Sequence, residues 1–197
     1  MRASVTLVIL VAALAAFADD SNVIAWSPTR SLSWDDFQGP VPRAGDDKRV
    51  AATTASISWS FRYSVAGSAS ACSYTINEIT SVANFHPDLS WVRPDKKKPG
   101  VLEHEQGHFD IARVYSEKFE AAAHGLVGHR GDCRGSSKRR AMDYSEAEIA
   151  DLIKPVYEDV WGQYRGLQET YDSETHHGSD VSVQARWTEA IAAMLSP

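Results

Sequence analysis

The sequence predicts an α+β fold, with an N-terminal antiparallel β-sheet followed by helices. Two hydrophobic periods carry this prediction. From Val50 to Tyr63 apolar and polar residues alternate, as expected of a half-buried β-strand. After Gly100 apolar residues recur at steps of three and four, as expected of an amphipathic helix. The change of period divides the β part of the chain from the α part.

The β part contains a predicted hairpin. A turn rich in small residues at 66–70 separates the first strand from a second one between Cys72 and Phe85. An earlier segment, around Ile24 to Trp34, is expected to join this sheet. Residues 93–100 are predicted as a loop because proline and charged residues dominate them.

The α part contains three predicted helices. The first is expected from about Val101 to His124. Ser145 and Glu148 have the spacing of a capping box, which favours a second helix beginning there. Pro155 is expected to bend or divide that helix. The last helix is expected from roughly Val181 to Leu195.

The N-terminus indicates secretion. Residues 5–17 form an almost continuous apolar run, shorter than the roughly 20 residues needed to cross a bilayer. The run ends in Ala16-Phe17-Ala18, the small-x-small pattern of a signal peptidase site. We therefore expect a signal peptide at 1–18 and a single domain at 19–197. With no cysteine near the cut, no membrane anchor is expected after cleavage.

The two cysteines agree with an oxidising compartment. Cys72 and Cys133 are an even pair, and such pairs in secreted proteins most often form a disulfide. The bridge would connect the second strand to a glycine-rich loop at 125–135, which follows the first helix. Neither cysteine is spaced like a zinc ligand, so both are interpreted as structural.

The charge of the chain argues against nucleic acid as a partner. The formal net charge is -6 at pH 7, and nucleic-acid binding needs a basic face. The one basic cluster, Lys138-Arg139-Arg140, is interpreted as part of a solvated loop.

His104-Glu105-Gln106-Gly107-His108 forms an H-E-x-x-H motif. Residues four apart share a helical face, so both imidazoles can reach one metal ion. Glu105 lies beside them, where its carboxylate can take a proton from a metal-activated water. The motif therefore predicts a zinc hydrolase. Two solvated histidines on an amphipathic helix are the alternative.

A catalytic zinc takes three protein ligands, so a third ligand is needed besides the two histidines of the motif. The extended metalloprotease motif would have glycine and histidine where this chain has Ile111 and Val114, which excludes that subclass. Glu117, Glu120 and His124 lie about 180°, 120° and 160° around the helix from the second histidine of the motif. The third ligand must therefore come from outside this helix.

The best remaining cluster of ligand residues is Tyr171–Gly178, between the second and third helices. It contains two histidines, two carboxylates and a phenol. A polar loop with solvated histidines is the alternative. His86, in the loop after the second strand, is a weaker candidate.

The motif blocks together resemble a family of bacterial secreted zinc-dependent proteases catalogued chiefly as a domain of unknown function. The resemblance covers residues 104–111 (HEQGHFDI) and 171–178, and also Leu32–Phe37, Ser90–Val92, Gln184 and Trp187. These blocks extend over nearly all of the mature chain. The first two are specific, whereas the tryptophan-containing blocks are weak alone.

The resemblance implies a zincin-like metallopeptidase with one catalytic Zn²⁺ ion and a peptide or protein substrate. It selects His177 over His176 as the third ligand, since His177 aligns with the patterned histidine of the family. His104, His108 and His177 would then bind the metal, with Glu105 as the general base.

Three other residues of the late block have expected roles. Tyr171 could donate a hydrogen bond to the oxyanion of a tetrahedral intermediate. Asp172 or Glu174 could orient a ligand imidazole by accepting its second ring N–H. A structural capping role is equally open for each of them.

Two other functions remain open from the sequence. The first is a secreted, non-catalytic binding module in which a metal only stabilises the fold or is absent. Trp34, Trp59, Trp91 and Phe61 would then form an aromatic binding surface. The second is hydrolysis of a non-peptide amide, such as a cell-wall cross-link.

Overall fold

A computed structural model describes residues 11–12, 22–43, 45–68 and 71–196, and they form the predicted α+β fold. The strands are β1 (Val11–Ala12), β2 (Ile24–Ala25), β3 (Ala51–Ala52), β4 (Ala55–Ser68), β5 (Ala71–Phe85), β6 (Trp91–Val92) and β7 (Arg130–Cys133). The helices are α1 (Pro99–Ala123), α2 (Lys138–Thr175) and α3 (Val181–Leu195). Most of the expected signal peptide lies outside the described residues, so it stays a prediction, as does the single domain at 19–197.

The strands form two antiparallel sheets. The larger sheet has the order β1-β4-β5-β2, and β7 also pairs with β5. The smaller sheet contains only β3 and β6, with Ala51 opposite Val92. None of the helices in the described part of the chain is both long and apolar enough to cross a membrane.

The chain divides into two compact units, which are described separately. The first contains Ser58–Ser81 and Glu117–Val160 together with β1. The second contains the described residues of 16–57, Val82–Ser116 and residues 161–196. Every residue of the candidate site belongs to the second unit.

The first unit contains the disulfide and an aromatic core. Cys72 in β5 lies opposite Cys133 in β7 and the two are bridged, which confirms the expected disulfide. Trp59 in β4 contacts Phe119 of α1 and Tyr157 of α2, with ring centroids 6.2 and 6.3 Å apart. The expectation of a loop over 125–135 missed β7, whose four residues lack the apolar alternation of a strand.

Helix α2 differs from its prediction at both ends. It begins at Lys138, seven residues before the expected start. Ser145 is fully buried inside the helix, and its hydroxyl donates to the carbonyl of Ala141 instead of capping a terminus. It is not divided at Pro155 and continues to Thr175. Most of the segment predicted as an interhelical loop is therefore the last turn of α2.

The second unit holds α1 through aromatic contacts. The ring centroids of Phe109 and Phe85 are 5.8 Å apart, which packs α1 against the end of β5. Tyr115 of α1 contacts Tyr164 of α2 at 5.9 Å. Phe109 and Phe85 are almost fully buried, and aromatic side chains supply much of the apolar burial in such cores.

Two residues of the motif region connect α1 to the N-terminal segment. Asp110 accepts hydrogen bonds from Trp26 Nε1 at 2.7 Å and from Gln106 Nε2 at 2.8 Å. Gln106 Oε1 accepts one from the backbone N–H of Leu32 at 2.7 Å. Burial raises the pKa of Asp110, although these two side-chain donors oppose the shift. The face of α1 that carries these residues thus fixes the chain before β3.

Candidate metal centre

His104 and His108 lie on one face of α1, as the four-residue spacing predicts. Their Nε2 atoms are 3.2 Å apart. Only 3% of the His104 side chain and 13% of the His108 side chain are exposed. The two rings therefore converge in a largely water-excluded position.

Asp172, in the last turn of α2, completes a group of three donors. Its Oδ1 lies 3.1 Å from Nε2 of His104 and 3.1 Å from Nε2 of His108. These three atoms form a triangle that could hold a metal ion. Ligand atoms around a tetrahedral zinc with bonds of about 2.0–2.1 Å are separated by about 3.3 Å. The observed triangle fits three corners of such a coordination sphere.

The hydrogen bonds around His104 fix its tautomer. Tyr171 donates its hydroxyl hydrogen to the His104 carbonyl, because that oxygen can only accept. The tyrosine oxygen must then accept from Gln184 Nε2 at 2.7 Å. Gln184 therefore turns Oε1 toward His104 Nδ1, 3.1 Å away, so Nδ1 carries the hydrogen. The Nε2 atom keeps its lone pair, as a metal ligand must.

His108 is fixed in the same way by Gln168. The Gln168 amide nitrogen donates to the His108 carbonyl at 2.9 Å, which determines the orientation of the amide. Gln168 Oε1 consequently accepts from His108 Nδ1. In the neutral imidazole, Nε2 of His108 also presents a lone pair to the centre.

This arrangement favours a bound cation. Two imidazole lone pairs and a carboxylate oxygen face one another within 3.2 Å, and they repel unless positive charge lies between them. Burial raises the pKa of Asp172, but the close approach of the His104 and His108 imidazoles outweighs burial and holds the pKa far below its usual range. Burial lowers the pKa of His108, but Asp172 and Glu105 outweigh it and raise the pKa.

Glu105 lies in the same cavity as the candidate metal centre and carries a buried carboxylate oxygen. The residue is 3% exposed, and its Oε2 is buried without a hydrogen-bond partner among the described residues. It lines a cavity of about 340 Å³ together with His104, His108 and Asp172. A buried carboxylate oxygen is costly without a hydrogen bond, so such a group is typical of a functional site.

His177 lies next to the donor triangle but is not one of its corners. Its Nδ1 is 3.1 Å from Asp172 Oδ1, and 57% of its side chain is exposed. The group of mutually close donors contains Asp172 in the position expected for His177. His177 as a ligand therefore stays a prediction, and Asp172 is the carboxylate that lies within the group of close donors.

At two positions near the candidate centre, the backbone lies so close to a side chain that only glycine fits. A Cβ atom on Gly107 would lie 2.2 Å from the Tyr171 hydroxyl oxygen. A Cβ atom on Gly178 would lie 2.7 Å from Cβ of His104, and Gly178 also has a φ of +75°. His176 and His177 precede it with φ of 48° and 53°, so three successive left-handed residues turn the chain from α2 toward α3.

Tyr171 packs and hydrogen-bonds against His104. The side chain is fully buried, and its ring stacks on His104 with centroids 4.7 Å apart. Its hydroxyl hydrogen is donated to the His104 carbonyl, and the expected donation to an oxyanion stays a prediction. Burial raises its pKa, which keeps the phenol neutral. Glu174 accepts from Trp187 Nε1 at 2.9 Å, away from the ligand imidazoles.

The sequence reasoning missed Gln168 as a positioning residue. Gln168 lies one helical turn before Asp172, so both share a face of α2. That spacing is informative only if the helix is known to continue to Thr175. Gln184, by contrast, belongs to the C-terminal part of the resemblance, but the sequence predicts no role for it.

The fold and site together define an α+β protein with a candidate His-His-Asp metal centre. A family model described as "Bacterial protein of unknown function (DUF922)" matches residues 33–178, and the chain belongs to this family. The match includes the three donor residues and His177. Comparisons with curated proteins and with solved structures give no significant match.

Proposed function

We propose that the protein is a secreted zinc-dependent metallopeptidase. One observation carries the proposal: the buried carboxylate of Glu105, whose Oε2 has no hydrogen-bond partner among the described residues, lines the same cavity as the donor triangle. A site that only stabilised the fold would have no use for this carboxylate. The signal-peptide pattern and the disulfide support secretion.

His104, His108 and Asp172 would hold the zinc ion, and one coordination position would remain for substrate or water. When bound, zinc would polarise the scissile carbonyl and lower the pKa of a coordinated water to about 7. The neutral imidazoles and the ionised carboxylate are the protonation states that ligation needs. Gln168 and Gln184 would favour the tautomer that leaves each Nε2 free for the metal, because each accepts the Nδ1 hydrogen.

Glu105 would act as the general base. Its position within the cavity allows it to take a proton from the attacking water and deliver that proton to the leaving amine. Because no hydrogen bond from another described residue engages Oε2, the carboxylate is available for this transfer.

Glu105→Gln tests this function. The variant should bind one zinc ion per chain, measured by elemental analysis, but lose about 10²- to 10⁴-fold of peptide turnover, because a general base contributes that much. Glu103→Gln is the matched control on α1, since Gln can still accept the hydrogen bond from Thr188. Hydrolysis of a mixed peptide library should be followed by mass spectrometry. Unchanged turnover in Glu105→Gln would refute the mechanism.

The position of His177 favours a second candidate, a secreted module that zinc only stabilises. With Nδ1 3.1 Å from Asp172 Oδ1, His177 is close enough to become a fourth ligand after a small movement. Four protein ligands would close the site and make it structural. Stoichiometric zinc with a raised melting temperature, and no hydrolysis of peptides or non-peptide amides, would support this second candidate.

A further inference from the structure

A loop without regular secondary structure carries Arg49 to the cavity, and Arg93 fixes that loop. Arg93 donates to three backbone carbonyls, those of Arg49 at 3.1 Å, Pro42 at 3.2 Å and Asp47 at 2.7 Å. Its guanidinium also lies over the Trp91 ring, 5.5 Å from the centroid. These contacts place the backbone of Arg49 at a defined position beside the cavity.

The Arg49 side chain is itself oriented. Nε and Nη2 donate to the carboxylate of Asp47, at 3.1 and 2.7 Å, and the guanidinium lies 5.9 Å from the Trp91 ring centroid. Within the described part of the chain, Nη1 has no hydrogen-bond partner. Because 49% of the side chain is exposed and it lines the cavity, this free edge is accessible to a ligand.

Arg49 is also close enough to the metal centre to be influenced by its charge. The hydrogen bond that Arg49 donates to Asp47 raises the pKa of Arg49, burial opposes this, and the charges of Asp172 and Glu105 add to the increase. These two carboxylates would repel an anionic substrate. A fixed guanidinium in the same cavity offsets that repulsion.

We propose that Arg49 determines specificity by binding a substrate carboxylate through Nη1. The carboxylate is either the C-terminus of a peptide or the side chain of an acidic residue near the scissile bond. This inference rests on the proposed function and adds the substrate class. Arginine suits the task because its planar donors match carboxylate geometry and its charge is permanent.

The test uses peptide binding without turnover, in a Glu105→Gln background with zinc bound. The probes are acetylated penta-alanine as the free acid and as the amide, and the amide with a central Asp or Asn. We expect one acidic probe to bind about tenfold more tightly than its neutral partner by calorimetry. The free acid identifies a C-terminal carboxylate, and the Asp peptide identifies a side chain.

Arg49→Gln should abolish this preference, whereas Arg49→Lys should keep part of it. Arg62→Gln is the matched control, because Arg62 is 52% exposed and pairs with Glu78 outside the cavity. The preference should also persist in the metal-free protein if Arg49, and not the metal, binds the carboxylate. A purely structural role for the Arg49–Asp47 pair would change the melting temperature but not the preference for charge.

Several outcomes would overturn the proposal. They are equal binding of acidic and neutral probes, no binding of any probe, a preference that survives Arg49→Gln, and a preference that vanishes when the metal is removed. If Arg49→Gln unfolds, a reduced preference in folded Arg49→Lys supports the proposal, and full retention refutes it. Absence of hydrolysis by the wild type would refute the proposed function without removing the binding preference, so the two failures are distinguishable.

Discussion

The hydroxyl of Tyr171 occupies the space that a side chain at residue 107 would need, because a Cβ atom on Gly107 would lie 2.2 Å from it. The same hydroxyl donates to the His104 carbonyl and accepts from Gln184. The glycine of the H-E-x-x-H motif therefore makes room for the residue that holds His104 in place.

Gly107→Ala should displace Tyr171 and destabilise the protein by about 1–3 kcal/mol, the usual effect of overpacking. Zinc affinity should fall as well, because His104 loses its support. Chemical denaturation and zinc titration measure the two effects. Gly100→Ala is the matched control in α1, since a Cβ atom there meets nothing within 4 Å. Equal stability of the two variants would contradict the close approach.

Asp172→Asn and His177→Ala distinguish the two candidate third ligands. If Asp172 is the ligand, its replacement should weaken zinc binding by more than the 10- to 100-fold typical of an orienting residue. His177→Ala should change the affinity by less than about tenfold, because the residue lies outside the triangle. Competition with a chromophoric chelator measures both. The reverse order of effects would establish His177 as the ligand.

Gln168→Leu should lower zinc affinity by about 10- to 100-fold, because leucine cannot accept hydrogen from His108 Nδ1. The tautomer of His108 should become mixed, which ¹⁵N chemical shifts of the imidazole report. Gln163→Leu serves as the control on α2, since Gln163 is exposed and does not line the cavity. A single unchanged tautomer in Gln168→Leu would rule out this role.

The buried Tyr63 side chain should make the free energy of unfolding fall at alkaline pH. Burial raises its pKa, and the hydrogen bond to Glu146 adds to the increase. The folded state therefore holds the phenol proton more tightly than the unfolded chain does, where the pKa is about 10. The stability from this residue is present below pH of about 10 and is lost as the pH rises further. Free energies of unfolding at pH of about 8 and 11 should show a smaller loss in Tyr63→Phe than in the wild type. Equal losses would exclude this source.

Regular periods made much of the fold predictable. Alternation identified β4 and β5, and the helical stripe identified α1, whose motif spacing alone brings His104 and His108 together. These features are local, so sequence patterns report them directly.

The third donor was not predictable in this way. Asp172 and Thr175 favour turns when taken locally, yet they lie in a helix whose last turn packs on His104. Their helical state depends on burial against α1, and Thr175 is indeed fully buried. Tertiary contacts of this kind leave no periodic signal in the sequence.

Two residues that hydrogen-bond to the helix of the H-E-x-x-H motif lie outside the family match, one on each side of it. A recombinant fragment restricted to residues 33–178 would lack Trp26, the donor to Asp110, and Gln184, the acceptor for His104 Nδ1. Such a fragment would contain every donor of the triangle and still lose the groups that hold α1 and the first imidazole in place. The contacts that support the candidate site therefore extend past the matched region at both ends.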